Sequence, residues 1–421
     1  MSKTVLVRGA RQLVTLRGPS GPRRGRALRE LAIIPDGALL IQDGVIREVG
    51  ASRRVEMLAE ARDALEIDVT GKAVVPAFVD CYTHVVSGLP IRSDWDDEPS
   101  ASRSADVDRP SWGKASAVQA FRNTTRQRME METRRRLRQF VRKGTLTLEA
   151  RTGLGLDEPT ELRMLRVIAA LDDRPLRLVP VFYGGRAVPP EYEDRAGDYL
   201  LWLADHMLPL IRQRALARIV AVCCGADGFN EQQALDYLKR ADDLGFGLKV
   251  QAGLNGGSTA VKLAYEHNVI SVDGIAGCSR DEAACLGACP SIVTLLPGRS
   301  YQQGMADFPD ARTLIDQGAA VAIATGYDPD LCPTTSMPMT MSLAVTQMRM
   351  APTEALSAAT INAAHALGAA RMAGSLEPGK SADLLILGSG DYRDIAYYFG
   401  MDMLAMAVRG GEVLYPRVES F

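Results

Sequence analysis

Residues 73–80 read AVVPAFVD, an apolar run that ends in an aspartate and is typical of a strand buried on both faces of a sheet. Similar runs recur along the chain with amphipathic helical segments between them. They lie at residues 145–150, 177–184, 218–224, 247–251, 269–274, 291–296 and 319–325. Such strand–helix units, spread over about 300 residues, favour a (β/α)8 TIM barrel over an open doubly wound sheet. A helix over residues 352–368 is expected to close the series.

Both ends of the chain have β character instead. Residues 3–9, 38–50 and 64–76 alternate between apolar and polar positions, with Asp-Gly and Thr-Gly turn signals. Residues 374–388 and 403–415 return to the same pattern after the last helix. The two ends are therefore expected to form one small β domain that brackets the barrel.

The composition restricts the class of protein. A net charge of −2 over 421 residues gives no reason to expect nucleic acid or an anionic membrane as a partner. No apolar run approaches the roughly 20 residues of a membrane span, and the first residues lack the apolar core of a signal peptide. Seven scattered cysteines without a CxxC pair indicate reduced thiols in a cytoplasmic protein.

In a TIM barrel the chemistry takes place at the C-terminal ends of the strands. A His-x-His pair at the end of the first strand could bind one divalent metal, because residues i and i+2 of a strand point the same way. This chain reads CYTH at residues 81–84, so Tyr82 takes the first of those positions and His84 the second. The other three histidines, His206, His267 and His365, lie in helical stretches. A lone imidazole does not make a transition-metal site, and more often serves as a hydrogen-bonded structural group.

The order of several longer motifs carries a resemblance. PAFVDCYTHVV, GTLTLEARTGLGLD, GGRAVPPEY, LLPGRSY, ATGYDPD, ATINAAHALG and GSLEPGKSADLLIL follow one another along the chain. This series resembles imidazolonepropionases of the amidohydrolase superfamily almost from end to end. The resemblance implies a TIM barrel of residues 76–372, a small β-sandwich built from residues 1–75 and 373–421, and commonly a homodimer. It also implies hydrolysis of a non-peptide C–N bond in a cyclic amide.

The resemblance further implies a metal site whose ligands have changed in this chain. Tyr82, Gln251 and Gly274 stand where the family has histidines, and Gly326 stands where it has an aspartate. Of the implied ligands only His84 remains. Because a neutral amide oxygen is a poor partner for zinc or iron, we expect no metal cofactor.

The substrate positions implied by the resemblance have changed as well. Leu154 stands for a tyrosine, Arg186 for a histidine and Gly225 for a glutamate. An arginine fork suits a carboxylate or a phosphate, so the mouth of the barrel is expected to bind an anionic small molecule. The candidate ligand-binding residues are Arg151, Arg186, Gln251 and Asp328, and the candidate catalytic residues are His84, Arg186 and Tyr82.

Two further segments each allow two interpretations. The arginine-rich segment 121–144 is either a surface for an acidic partner or an outer barrel helix with extended arginines. The acidic segment SDWDDE, residues 93–98, either closes over the barrel mouth or is a solvated loop.

Three hypotheses on function remain open. The first is an amidohydrolase-fold protein that has lost the metal site and serves as a ligand-binding or partner subunit, as a homodimer or beside an active paralogue. The second is a metal-independent hydrolase or isomerase that acts on a small cyclic amide or anionic ring compound through Arg151, Arg186 and His84. The third is a metallo-amidohydrolase that holds zinc or iron with an atypical ligand set.

Overall fold

The computed structural model describes residues 3–87, 115–226, 228–253, 256–305 and 307–416, so the acidic segment 93–98 lies outside the described residues. The N-terminal part forms seven strands before the barrel. They are β1 (Thr4–Ala10), β2 (Gln12–Val14), β3 (Ile33–Ile34), β4 (Gly37–Gln42), β5 (Val45–Ala51), β6 (Leu65–Asp68) and β7 (Ala73–Pro76).

The next eight strands run parallel and form the barrel. They are β8 (Phe78–Asp80), β9 (Thr145–Arg151), β10 (Arg177–Gly185), β11 (Ile219–Cys224), β12 (Gly247–Ala252), β13 (Val269–Asp273), β14 (Ile292–Leu295) and β15 (Ala320–Ile323). Each strand pairs with the next one along the chain. The first and last strands meet just beyond their ends, where the amide of His84 donates to the carbonyl of Tyr327 at 2.7 Å. The predicted (β/α)8 barrel is confirmed, nearly closed, with a strand in every predicted run.

The prediction of one strand over residues 73–80 is wrong, because the run divides into β7 and β8. The amide of Ala77 donates to Asp383 at 3.0 Å, in the segment that leads to the C-terminal strands, whereas the next amide, that of Phe78, donates to Gly144 at 3.0 Å in the barrel. The chain therefore passes from one sheet to the other within a single residue.

The two chain ends combine as expected. The last strands are β16 (Leu384–Leu387), β17 (Leu404–Arg409) and β18 (Glu412–Tyr415). One sheet has the order β5-β4-β1-β6, and the other has the order β18-β17-β16-β7-β2-β3. Val5 and Ile41 of the first sheet and Val74, Leu384 and Ile386 of the second belong to one buried apolar cluster. A small two-sheet domain built from both ends thus accompanies the barrel.

Helices cover the barrel. Among the described residues they lie before, between and after the barrel strands, as the alternating pattern predicts. The helix predicted over residues 352–368 runs from Pro352 to Ala366 with a π-helical turn at Ala358–Asn362. No helix of the described ranges is long and apolar enough to cross a membrane. The other barrel helices are Ala115–Arg122, Arg126–Arg142, Glu158–Leu171, Ala196–Trp202, Leu208–Gln213, Glu231–Asp243, Gly257–Glu266, Arg280–Ala288, Pro297–Gln302, Ala311–Asp316 and Met337–Gln347.

Candidate functional site

A small cavity lies at the C-terminal ends of the barrel strands. Its volume is about 20 Å³, room for about one water molecule. Six residues singled out from the sequence line it: Tyr82, His84, Arg186, Gln251, Gly326 and Asp328. They come from four different strand ends and meet because the C-terminal ends of a parallel barrel converge at one mouth.

His84 is a neutral, buried imidazole. Burial lowers the pKa of His84 well below its usual value, and the nearby positive charges of Arg186 and Arg151 lower it further. Its Nδ1 lies 3.5 Å from Nη1 of Arg186, and the ring also has a hydrogen bond with the backbone of Thr152. Because an arginine has only donors, Nδ1 acts as the acceptor in the first contact. Hydrogen bonds thus engage the ring on both sides.

Arg186 connects His84 to a carboxylate. Its Nη2 donates to Oδ2 of Asp328 at 3.0 Å, and both side chains are almost fully buried. Asp328 also accepts from the amides of Asp330 at 2.9 Å and Leu331 at 3.2 Å. The pair is therefore held rigidly, with its two charges balanced.

Arg151 lies in a cluster of buried ions rather than on the cavity wall. Its guanidinium contacts Glu149 and Asp273, and Lys249 contacts Glu149 and lies 3.5 Å from Asp273. All four side chains are fully buried, and their two positive and two negative charges cancel. We call these four residues the ion cluster. Burial alone would raise the pKa of Asp273, but Lys249 and Arg151 outweigh it and hold that pKa below its usual value.

The ion cluster differs from the role expected for Arg151. The sequence makes this guanidinium a candidate for ligand binding, whereas its Nε and Nη2 atoms face carboxylates and it lies over the ring of Tyr82, with Cζ 3.9 Å from the ring centroid. Lys249 was missed altogether. A signal was available, since a lysine inside the apolar strand β12 must find a buried acidic partner.

Gln251 and Gly274 fit each other sterically. Nε2 of Gln251 donates to the carbonyl of Ala252 at 3.0 Å, and the same nitrogen lies 2.3 Å from where a Cβ of residue 274 would be. Gly274 also has φ +75°, a conformation that side chains disfavour. A larger residue at position 274 is thus incompatible with the glutamine as it stands.

The donor set does not fit the zinc or iron that the resemblance implies. Tyr82 packs against Arg151, Gly274 and Gly326 offer no side chain, and His84 and Gln251 leave one imidazole and one amide. Structural and catalytic zinc sites need three or four histidine, cysteine or carboxylate ligands. Over the described ranges, no group of three or more such side chains is placed to hold a metal ion.

The cavity has an excess positive charge from a residue that is not among the candidates predicted from the sequence. Arg299 lines it from the short helix after β14, and within the described residues its guanidinium has no ion pair or hydrogen bond. Oε1 of Gln251, on the same cavity, is buried without a donor. Since Arg186 is balanced by Asp328, the cavity offers one cation and one acceptor that have no partner within the described part of the chain. The motif LLPGRSY places this arginine just beyond a strand end, which was the available signal.

Comparison with known proteins gives a consistent set of relatives. A family model described as "Amidohydrolase family" matches residues 254–413. An imidazolonepropionase of Solibacter usitatus is 38% identical over 99% of this chain and 100% of its own length. One of Chloroflexus aggregans is 36% identical over 97% of this chain and 98% of its own length.

Solved structures agree in fold. A triazine hydrolase variant superposes with a TM-score of 0.74 at 16% identity, covering 98% of this chain and 94% of that one. The guanine deaminase of E. coli gives a TM-score of 0.66 at 15% identity, with 99% of both chains covered. At such identities these structures show the shared fold alone.

Proposed function

Because this chain belongs to the imidazolonepropionase family of amidohydrolases, we propose that it binds a small ring compound bearing a carboxylate at the barrel mouth, without a catalytic divalent metal. Members of this family usually use such a metal. The observation that carries the proposal is that the guanidinium of Arg299 and Oε1 of Gln251 line the same cavity and neither has a partner among the described residues.

The two unpaired groups define the chemistry of the ligand. A carboxylate would form charge-assisted hydrogen bonds with Arg299, whose planar fork matches its two oxygens. A ring N–H would satisfy Oε1 of Gln251, which otherwise remains a buried acceptor without a donor. The relatives are named for an imidazolone ring with a propionate, a molecule with both features.

Binding requires the mouth to widen, because the cavity has room for about one water molecule. Arg299 and Leu331 are the half-buried side chains of its lining and would move outward. The Arg186–Asp328 pair would remain in place and orient His84 toward the ligand.

The residues that stand at the metal-ligand positions implied by the resemblance support binding without metal-dependent hydrolysis. The ion cluster already neutralises Glu149 and Asp273, so these carboxylates are not available to attract a divalent ion. Both sides of the His84 ring are engaged, which leaves this imidazole poorly suited to take a proton from water.

Calorimetric titration with imidazolone propionate tests the proposal. Arg299→Met should raise the Kd at least about tenfold, the usual effect of removing one charge-assisted contact. Arg371→Met, which removes an exposed arginine outside the cavity lining, should leave the Kd unchanged. Equal Kd values for the wild type and the Arg299 variant, or no binding by the wild type, would refute it.

A second candidate function is hydrolysis of the imidazolone ring, which the full-length identity of 31–38% to proteins named imidazolonepropionase favours. Loss of the ring absorbance in the presence of the protein would report turnover. Turnover abolished by a chelator would favour metal-dependent hydrolysis, and turnover that a chelator leaves unchanged would favour a metal-independent hydrolase or isomerase. Binding without turnover would support the first candidate.

We also propose that the protein acts as a homodimer or together with an active paralogue, as the resemblance implies. Sedimentation velocity of the purified chain distinguishes a dimer from a monomer. If it is a monomer, co-purification with a paralogue that retains the His-x-His motif would support the mixed assembly.

A further inference from the structure

A large groove lies away from the barrel mouth, between the helix Arg126–Arg142 and the C-terminal strands. Arg134, Arg138 and Arg142 line one wall, and residues 413–415 of β18 line another. Its volume is about 1010 Å³. We call it the basic groove.

The arginines of the groove form a regular row. They are four residues apart, so they share one helix face at intervals of about 6 Å. In the part of the chain that the structure describes, none of the three has an ion pair or a side-chain hydrogen bond. Asp402, the acidic residue of the lining, already lies 3.5 Å from Lys143. Like charges at this spacing repel each other, so a negatively charged ligand bound along the row would relieve that repulsion.

The strand that lines the other wall is an edge strand. β18 is the terminal strand of the six-stranded sheet and pairs with β17 on one side. Among the described residues, no backbone hydrogen bond links its other side to a further segment. Val413 of this strand is 38% exposed and adds an apolar contact. A free strand edge of this kind accepts an extended peptide through main-chain hydrogen bonds.

We infer that the basic groove binds an extended acidic peptide of a partner protein, which adds as a strand to the free edge of β18. In an extended peptide alternate side chains are about 6.7 Å apart, close to the spacing of the arginine row. A peptide with acidic residues at alternate positions can therefore pair each acid with one arginine. This inference is independent of the ligand proposed for the barrel mouth.

Two other occupants fit the groove less well. A nucleic acid would use the arginines but not the strand edge, since its backbone lacks the alternating donors and acceptors of a peptide. A second copy that paired β18 with its own β18 across a two-fold axis would bring two arginine rows together, and like charges would oppose that contact.

Fluorescence anisotropy with a labelled peptide of alternating glutamate and valine tests the inference. Binding should be saturable, should weaken as salt is added, and should be at least about tenfold weaker in Arg134→Glu/Arg138→Glu. The matched control is Arg128→Glu/Arg135→Glu, which changes two exposed arginines of the same helix outside the groove lining by the same charge. The control should bind within about twofold of the wild type. If charge reversal unfolds the protein, Arg134→Gln/Arg138→Gln replaces it, with the same expected direction.

A second peptide separates strand addition from simple charge attraction. This peptide has the same sequence but carries methyl groups on alternate backbone nitrogens. Methylation removes the donors needed at the edge of β18 and should weaken binding at least about tenfold. Equal affinity for the methylated peptide, or for the two double variants, would overturn the inference. Tighter binding of a single-stranded oligodeoxynucleotide of equal charge would overturn it in favour of a nucleic acid.

Discussion

Replacement of Lys249 by methionine should destabilise the protein strongly. The Lys249 ammonium contacts Glu149, lies 3.5 Å from Asp273 and donates to the carbonyl of Cys81 at 3.1 Å. Methionine keeps a long apolar side chain but removes the charge. Arg151 would then face two buried carboxylates alone, and the ion cluster would carry one uncompensated negative charge.

The size of the effect follows from burial. Removal of one partner of a fully buried ion pair costs about 3–5 kcal/mol, because the other charge stays in a medium of low polarity. Glu149→Gln added to Lys249→Met leaves one cation and one anion, so the double variant should recover about 1–3 kcal/mol of that loss. Lys262→Met breaks an exposed pair with Glu231 and should cost less than about 1 kcal/mol.

Urea unfolding followed by circular dichroism measures these free energies. The expected order of stability is wild type and Lys262→Met first, then the double variant, then Lys249→Met. A Lys249→Met protein within about 1 kcal/mol of the wild type would refute a coupled, charged ion cluster. A double variant no more stable than the single one would refute it as well.

Two further predictions concern single positions. Gly274→His should lower stability by about 1–3 kcal/mol, because the new side chain meets Gln251 and φ is positive. Thermal melts should show partial recovery when Gln251→Ala is added, and a fully stable Gly274→His protein would contradict the steric argument. Burial, with smaller contributions from Lys380 and Arg23, lowers the pKa of His365 to about 4. Since the unfolded value is about 6.5, the unfolded chain binds more protons between these values, and stability should fall as pH decreases from 6.5 to 4. Urea unfolding at several pH values should show a shallower fall in His365→Gln, and an unchanged slope would contradict this role.

The fold was predictable because buried parallel strands are recognisable from composition. Runs such as 319–325 and 218–224 are apolar except for one terminal residue, Thr325 and Arg218 respectively. The amphipathic helices between such runs require a sheet covered on both faces. The boundary between β7 and β8 was not predictable in the same way. Both strands are apolar, and only the different hydrogen-bond partners of Ala77 and Phe78 separate them.

The candidate site was predictable only in position. Strand ends converge, so Tyr82, His84 and Gln251 were expected to meet at the mouth, and they do line one cavity. The orientation of Arg151 depends on Glu149, two residues earlier on β9, and on Asp273 of β13, a strand that is not adjacent to β9. The contact with Asp273 arises from tertiary structure and leaves no trace in local sequence.

The metal content of the purified protein tests the central claim most directly. Protein produced in medium supplemented with zinc, iron and manganese and purified without chelators should contain less than about 0.1 metal ion per chain, because one imidazole and one amide bind these ions weakly. His84→Ala should give the same value. About one tightly bound ion per chain, lost in the His84 variant, would contradict the account and favour a metallo-amidohydrolase with an atypical ligand set.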